Sequence, residues 1–228
     1  VKILAFDTST KFLSIACLEN SSSAAVYHED VNVRHNEILV PKIKDLLGSL
    51  NWKLTDIDLI CVGAGPGSFT GLRIAFATVK GFSLVLGGRV ASVPSMDAII
   101  RSPATDKFKK KTRKLAAPFL DARKGKVYTC IYEFSDGKIR KLTDYLLVRA
   151  EDFLKELKEE VFFFGEACAK YKTELDMCKF AVFDEHMDWY PRALEIGRVG
   201  LKQSFEKIEY AEDLEPLYLY EKECGVEK

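Results

Sequence analysis

The sequence predicts an α/β protein of two lobes, on three observations. Strand-like and helix-like apolar patterns alternate through residues 1–102. A glycine-rich loop, Gly63–Gly71, sits between a β-branched run and a long helical run. After a basic stretch at 107–114 the strand-then-helix pattern begins again, which suggests a second lobe of related plan over 103–228.

Residues 2–6 are apolar and end at the turn cluster Asp7-Thr8-Ser9-Thr10, so they read as a buried strand. Strands at 12–18 and 24–28 follow across short turns, which predicts an antiparallel meander. From 36 to 50, Ile38, Leu39, Ile43, Leu46, Leu47 and Leu50 recur every three or four residues, a helix in which Pro41 belongs near the first turn. Residues 57–62 read as a buried strand, 68–86 as a helix stopped by Gly87-Gly88, 89–93 as a strand and 95–101 as a short helix. In the second half strands are expected near 115–120, 127–134, 139–148, 161–164 and 179–183. Helices are expected at 150–159 and from Pro191 to 205, with Asp188 favouring the start of the last.

Lys plus Arg and Asp plus Glu number 34 each, so the net charge is zero, which argues against a stand-alone RNA binder and suits a protein that lives with a partner. Six cysteines form no C-x-x-C pair, and Cys17, Cys61 and Cys130 lie in apolar runs. They read as reduced core hydrophobes in a reducing compartment. The first apolar stretch ends at Asp7, too early for a signal-peptide core, and Arg73 and Lys80 interrupt the longest apolar helix. A cytoplasmic protein with no membrane span is expected. His28, His35 and His186 have no helical metal-site spacing.

The glycine loop has two readings. Backbone N–H groups between a strand and a helix cradle phosphates, and glycines also permit tight turns and close helix–strand packing. The loop is neither a Walker loop nor a strict dinucleotide fingerprint. Asp7, Thr8 and Ser9, with Gly65 and Gly67, form the candidate nucleotide-binding set, in which the carboxylate would hold a hydrated Mg²⁺. The same turn residues equally satisfy their own backbone. The run Lys107–Lys114 carries six basic residues out of eight and reads either as an RNA phosphate contact or as a solvated linker between the lobes. The 68–86 helix is apolar nearly all round, which predicts burial nearly all round, most easily at a subunit interface. His35, Ile38, Lys42, Arg73, Phe76, Ala77 and Lys80 form the candidate interface stripe.

Val1–Ser14, Arg34–Leu47 and Gly63–Gly81 resemble the TsaB family, also called YeaZ, and Leu120–Tyr128 and Glu215–Leu219 resemble its later signatures in the same order. The resemblance implies a two-lobed actin-like ATPase fold (ASKHA, ribonuclease H-like), shared with sugar kinases. It implies a role in making tRNA threonylcarbamoyladenosine, beside a larger catalytic paralogue, TsaD, and the ATPase TsaE. Pairing with TsaD, or with a second copy, would use the two helices of the first lobe, and tRNA would be met through the complex.

Two departures from the wider pattern set the expected role. TsaD binds its metal through two histidines after the second helix, and the aligned positions here are Ser95 and Ile99, so catalysis by this chain alone is not expected. Asp7-Thr8-Ser9-Thr10 lacks the glycine of the actin-type first hairpin. The expectation is a non-catalytic scaffold with no cofactor of its own, ATP or ADP being left to the assembled complex. The rival expectation is an ATP-binding kinase- or hydrolase-like enzyme.

Overall fold

Side-chain alternation builds the core of the first unit. The computed structural model describes residues 1–87, 89–108 (107 by its backbone alone), 114–187, 189–206 and 210–219. Strands β1 (Lys2–Asp7), β2 (Phe12–Glu19), β3 (Ser22–Asp30), β4 (Leu59–Gly63) and β5 (Arg89–Val93) form a sheet in the order β3-β2-β1-β4-β5. The meander is antiparallel, and β1, β4 and β5 run parallel. Successive side chains of a strand point to opposite faces. Leu4 and Phe6 therefore meet helices α1 (His35–Ser49) and α2 (Phe69–Leu86) through Leu39, Ile43, Ala75, Phe76 and Val79. Ile3 and Ala5 meet helix α7 (Ala193–Glu206) through Ala193 and Ile196. Cover on both faces explains why β1 reads as an unbroken apolar run.

The α7 helix lies close to the sheet because its contact residues are small. A Cβ on Gly197 would stand 2.6 Å from Leu18 Cδ1, and one on Gly200 2.5 Å from Cys61 Sγ. Ala193 N–H donates to Ser14 Oγ at 2.8 Å. The described residues of 190–217 thus belong with those of 1–102, while the described residues of 103–189, with 218 and 219, form the other unit. The expectation that everything from 103 onward is one lobe is corrected here: a helix far along the chain returns to cover the first sheet.

In the second unit, strands β6 (Lys114–Asp121), β7 (Lys126–Thr129), β10 (Leu146–Arg149), β11 (Val161–Phe164) and β12 (Ala181–Asp184) lie in the order β10-β7-β6-β11-β12. Strand senses match those of the first sheet, with a meander on one side of the first strand and two parallel strands on the other. Strand β8 (Tyr132–Ser135) pairs with the start of β6, and β9 (Lys138–Lys141) with β8. The runs expected as single strands at 127–134 and 139–148 are therefore two strands each. Chain direction jogs at Cys130-Ile131, where Ile131 N–H donates to Thr143 Oγ1 at 3.0 Å. Helices α4 (Ala150–Lys155), α5 (Glu166–Lys170) and α6 (Lys172–Met177) cover this sheet; α5 and α6 are too short for a periodicity reading to find. Phe163 packs on Phe119 and Phe153, while Phe162, one position earlier on the opposite face, meets Phe108.

Several expectations meet their outcome here. Pro41 lies inside α1 on its exposed side, beyond the first turn. Helix α2 is long and apolar enough to cross a membrane by length and composition, yet only 28% of it is buried, so all-round burial is not found. One stripe, Leu72, Ala75, Phe76 and Val79, packs against the sheet. Cys17, Cys61, Cys130 and Cys168 are buried and Cys178 is half-buried. Burial pushes the Cys17 thiol up to about 11 and Cys168 up to about 12. Of the basic run, 109–113 and the Lys107 side chain lie outside the described residues, as do Asp188, Gly88 and Cys224. Phe108 is buried and Lys114 pairs with Glu160 at 3.6 Å.

The glycines of α7 and α2 should respond oppositely to a methyl group. Gly200→Ala is expected to cost about 1–3 kcal/mol by overpacking. Gly81→Ala, where a Cβ meets nothing within 4 Å, is expected to stabilise the chain by about 1 kcal/mol. Urea denaturation midpoints of the two variants check the signs.

Candidate functional site

The parallel strands β1, β4 and β5 end side by side, so the residues at their C-terminal ends converge. Asp7 ends β1, Gly63 ends β4, and Ser95 opens helix α3 (Ser95–Ile99) just beyond β5. The Asp7 side chain is wholly buried. Its Oδ1 accepts from Ser9 N–H at 2.8 Å and from Ser9 Oγ–H at 2.7 Å. Its Oδ2 accepts from Ser95 Oγ–H at 2.6 Å. Burial raises the Asp7 pKa above its ordinary value, and the hydrogen bonds from Ser95 and Ser9 offset part of that shift.

The glycines of the loop are required by how closely it lies on this turn. A Cβ on Gly63 would overlap the Asp7 carboxylate, one on Gly67 the Ser9 carbonyl, and one on Gly71 the Thr8 carbonyl. Hydrogen bonds close the same contact. Ser68 N–H donates to Ser9 O at 2.7 Å and Thr8 Oγ1–H to Gly71 O at 2.8 Å. Gly71 N–H donates to Ser68 Oγ, the cap of α2, at 3.2 Å. Gly65 donates to Ser95 Oγ at 3.1 Å and accepts from Ser95 N–H at 2.7 Å. Ala64 O accepts from Leu217 N–H at 2.8 Å, which ties the late signature segment back to the loop.

Of the two readings of the glycine loop, close packing accounts for what is seen. The Ser9 carbonyl takes the Ser68 N–H, and Asp7, Thr8, Ser9 and Gly65 are buried. Asp7, with both oxygens already engaged by three donors of the chain, does not fit a hydrated Mg²⁺ without losing those bonds. Neither do Ser95 and Ile99 fit a metal. Ser95 Oγ is bonded on both sides, and Ile99 is a fully buried hydrocarbon without a lone pair. Ser95 as the partner of Asp7 was not foreseen in the sequence. The signal was available in the parallel order of β1, β4 and β5, which brings their C-terminal ends together.

The candidate interface stripe divides. Arg73, Ala77 and Lys80 are exposed on one side of α2, and Ile38 and Lys42 on α1 are half-buried. Phe76 and His35 are only 4% and 5% exposed, so both are core residues and the stripe is corrected by their removal. Phe76 lies four residues after Leu72 and three before Val79, on the sheet-facing side of the helix. His35 packs beneath β2 with Nε2 3.4 Å from Phe12 O, and burial lowers its pKa. Lys42 is held in its own unit, 3.6 Å from Asp45 and 5.0 Å above the Tyr27 ring. In place of the removed residues, the outward side of α2 carries Phe69 at 53% exposure, Leu84 at 90% and Val85 at 68%. The Arg73 guanidinium stacks 4.0 Å over the Phe69 ring. Lys80 Nζ donates to Glu212 O at 3.3 Å.

The sequence family described as TsaD, tRNA N6-adenosine threonylcarbamoyltransferase, matches residues 20–207. The chain is 29% identical over 177 residues to the tRNA threonylcarbamoyladenosine biosynthesis protein TsaB of Bacillus subtilis, covering 76% of this chain and 75% of that protein. It is 33% identical over 139 residues to TsaB of Escherichia coli, covering 61% of this chain and 58% of that one. Among solved structures, YeaZ from Pseudomonas aeruginosa aligns with a TM-score of 0.76 at 26% identity, over 96% of this chain and 99% of that chain.

The buried carboxylate makes a pH prediction. Asp7's folded pKa lies above its ordinary 3.8. The protonated form is therefore favoured by folding, and that contribution is complete below 3.8 and lost as pH rises through the raised folded value. Asp7→Asn is expected to remove this component while keeping a side chain that hydrogen-bonds. Relative to the variant, the native chain should lose stability as pH rises from about 4. Denaturation curves at a series of pH values check this, and parallel curves for the two proteins would refute it.

Proposed function

The chain belongs to the TsaB (YeaZ) family of tRNA threonylcarbamoyladenosine biosynthesis proteins, within the family described by the threonylcarbamoyltransferase match and with its actin-like fold, and we propose that it serves there as a non-catalytic scaffold. In this reading it pairs with a TsaD-like catalytic paralogue, works beside a TsaE-like ATPase, and self-pairs through the same helices when the paralogue is absent. tRNA is met through the complex, in the cytoplasm where tRNA is modified.

The observation that carries the scaffold reading is the outward side of α2. A helix apolar nearly all round leaves Phe69, Ala77, Leu84 and Val85 uncovered within its unit. Large apolar side chains exposed along one helix suit an interaction surface, and aromatic residues and Arg are both enriched at interfaces. The closed loop around Asp7 supports the absence of a reaction centre in this chain. A nucleotide bound by Asp7, Thr8, Ser9, Gly65 and Gly67 would have to displace the chain's own hydrogen bonds. That disfavours the rival reading of an ATP-binding kinase- or hydrolase-like enzyme and leaves ATP or ADP to the assembled complex.

Light scattering after size-exclusion chromatography tests the reading. The chain mixed with a TsaD-like partner is expected to form a mixed complex at the expense of a homodimer. Ala77→Asp and Leu84→Asp, both at exposed positions, should abolish that complex while leaving the circular dichroism and melting of the chain unchanged. Phe69→Ala should weaken pairing by roughly 2 kcal/mol. Native yields of complex from the two Asp variants would sink the proposal.

A further inference from the structure

The two units have the same strand plan, so the turn after β1 and the turn after β6 occupy equivalent places in their sheets. The first folds inward around Asp7. The second, Asp121-Ala122-Arg123-Lys124-Gly125-Lys126, buries Ala122 and leaves the side chains of Arg123 and Lys124 exposed. Asp121 Oδ1 accepts from Arg123 N–H at 3.1 Å and from Lys170 Nζ at 2.8 Å, and Asp121 N–H donates to Glu166 Oε1 at 3.3 Å. Lys126 N–H donates to Arg123 O at 2.9 Å, closing the turn.

The backbone of this turn is unusual for its residues. Arg123, Lys124 and Gly125 have φ of 63°, 48° and 75°. Among the described residues the other non-glycine positions with positive φ are Asn20, Asn32, Asn51 and Asp136, the residue types that tolerate a left-handed conformation. The β8–β9 hairpin of the same unit uses the favoured Asp136-Gly137 pair. Among the described residues, the β6–β7 tip alone places long basic side chains where Asn or Gly would relieve strain. Such strain concentrates at functional positions. Both side chains are exposed, and neither has an ion pair or ring contact among the described residues. Beneath them Lys170 is already paired with Asp121 at 2.8 Å.

We propose that the β6–β7 tip, through Arg123 and Lys124, is a direct contact for the phosphate backbone of tRNA. This rests on the reading of the chain as part of a tRNA-modifying complex. A hairpin end is convex, whereas a small nucleotide needs a concave site, and two unpaired exposed cations match a polyanion without reading its sequence. Zero net charge gives no long-range attraction, so the contact is local and works within an assembly that holds the tRNA.

The test is fluorescence anisotropy of an unmodified tRNA transcript, titrated with the chain alone and mixed with a TsaD-like partner, over about 50–200 mM salt. The double variant R123N/K124N removes both charges and suits the left-handed backbone. It is expected to weaken tRNA binding, to lower the log–log salt slope by about 2, and to raise Tm by roughly 2–4 °C. R123E/K124E should weaken binding further without stabilising the chain. An Asn variant that melts higher but binds tRNA as the native chain does would overturn the proposal, as would the absence of tRNA binding in both forms. Binding of ATP, inorganic phosphate or phosphatidylserine vesicles with the same two-residue dependence, and none of tRNA, would also overturn it. Partner pairing is read separately, by light scattering on the same protein mixtures. Loss of pairing with charge-dependent tRNA binding intact fails the scaffold reading alone, and intact pairing without charge dependence fails this one alone.

Discussion

The buried carboxylate of Asp7 is the constraint on which the first unit depends. Removed from water, it must be given its hydrogen bonds by the chain, and Ser9 and Ser95 give them. Those bonds join the end of β1 to the helix that follows β5. Because the carboxylate and the Thr8 and Ser9 carbonyls fill the space above the strand ends, the β4–α2 loop can pass only as glycine at 63, 67 and 71. The loop in turn fixes the first turn of α2 through Ser68 and Gly71. Which side of α2 faces the sheet, and therefore which side faces outward, follows from that anchoring.

The same strand plan, used twice, has been put to different ends. In the first unit the turn after the opening strand is consumed by packing, and its polar atoms are satisfied within the chain. In the second unit the equivalent turn is held from beneath by Asp121 and Lys170, and its cations are turned out. A shared topology therefore says little about which turns can meet a ligand. Burial and hydrogen-bond satisfaction decide that separately at each turn.

Family membership and geometry bear on different questions. The family establishes the pathway, tRNA threonylcarbamoyladenosine biosynthesis. The geometry bears on which groups are free to act. Around Asp7, Ser95 and Ile99 the polar groups are spoken for or absent, while on α2 Leu84 and Val85 are left exposed.

The sequence by itself determined the regular elements whose signal is local. β1, α1, α2, β5 and β11 were legible because apolar spacing of two, or of three and four, is a property of neighbouring residues. The glycine loop was legible as a site of close approach, though not what approached it. The split of 127–134 into β7 and β8, and of 139–148 into β9 and β10, was not legible, because it is set by which stretch of β6 each piece pairs with. Helices α5 and α6 span too few residues to show a period. Tertiary structure alone decided three further things. It returned α7 to the first sheet, brought Ser95 to Asp7 across 88 residues of chain, and placed Phe76 and His35 inside while leaving Leu84 and Val85 outside. The physical reason is common to all three. Spacing along a helix or strand says which residues share a face, but only the neighbouring element, often distant in sequence, says which face is removed from water.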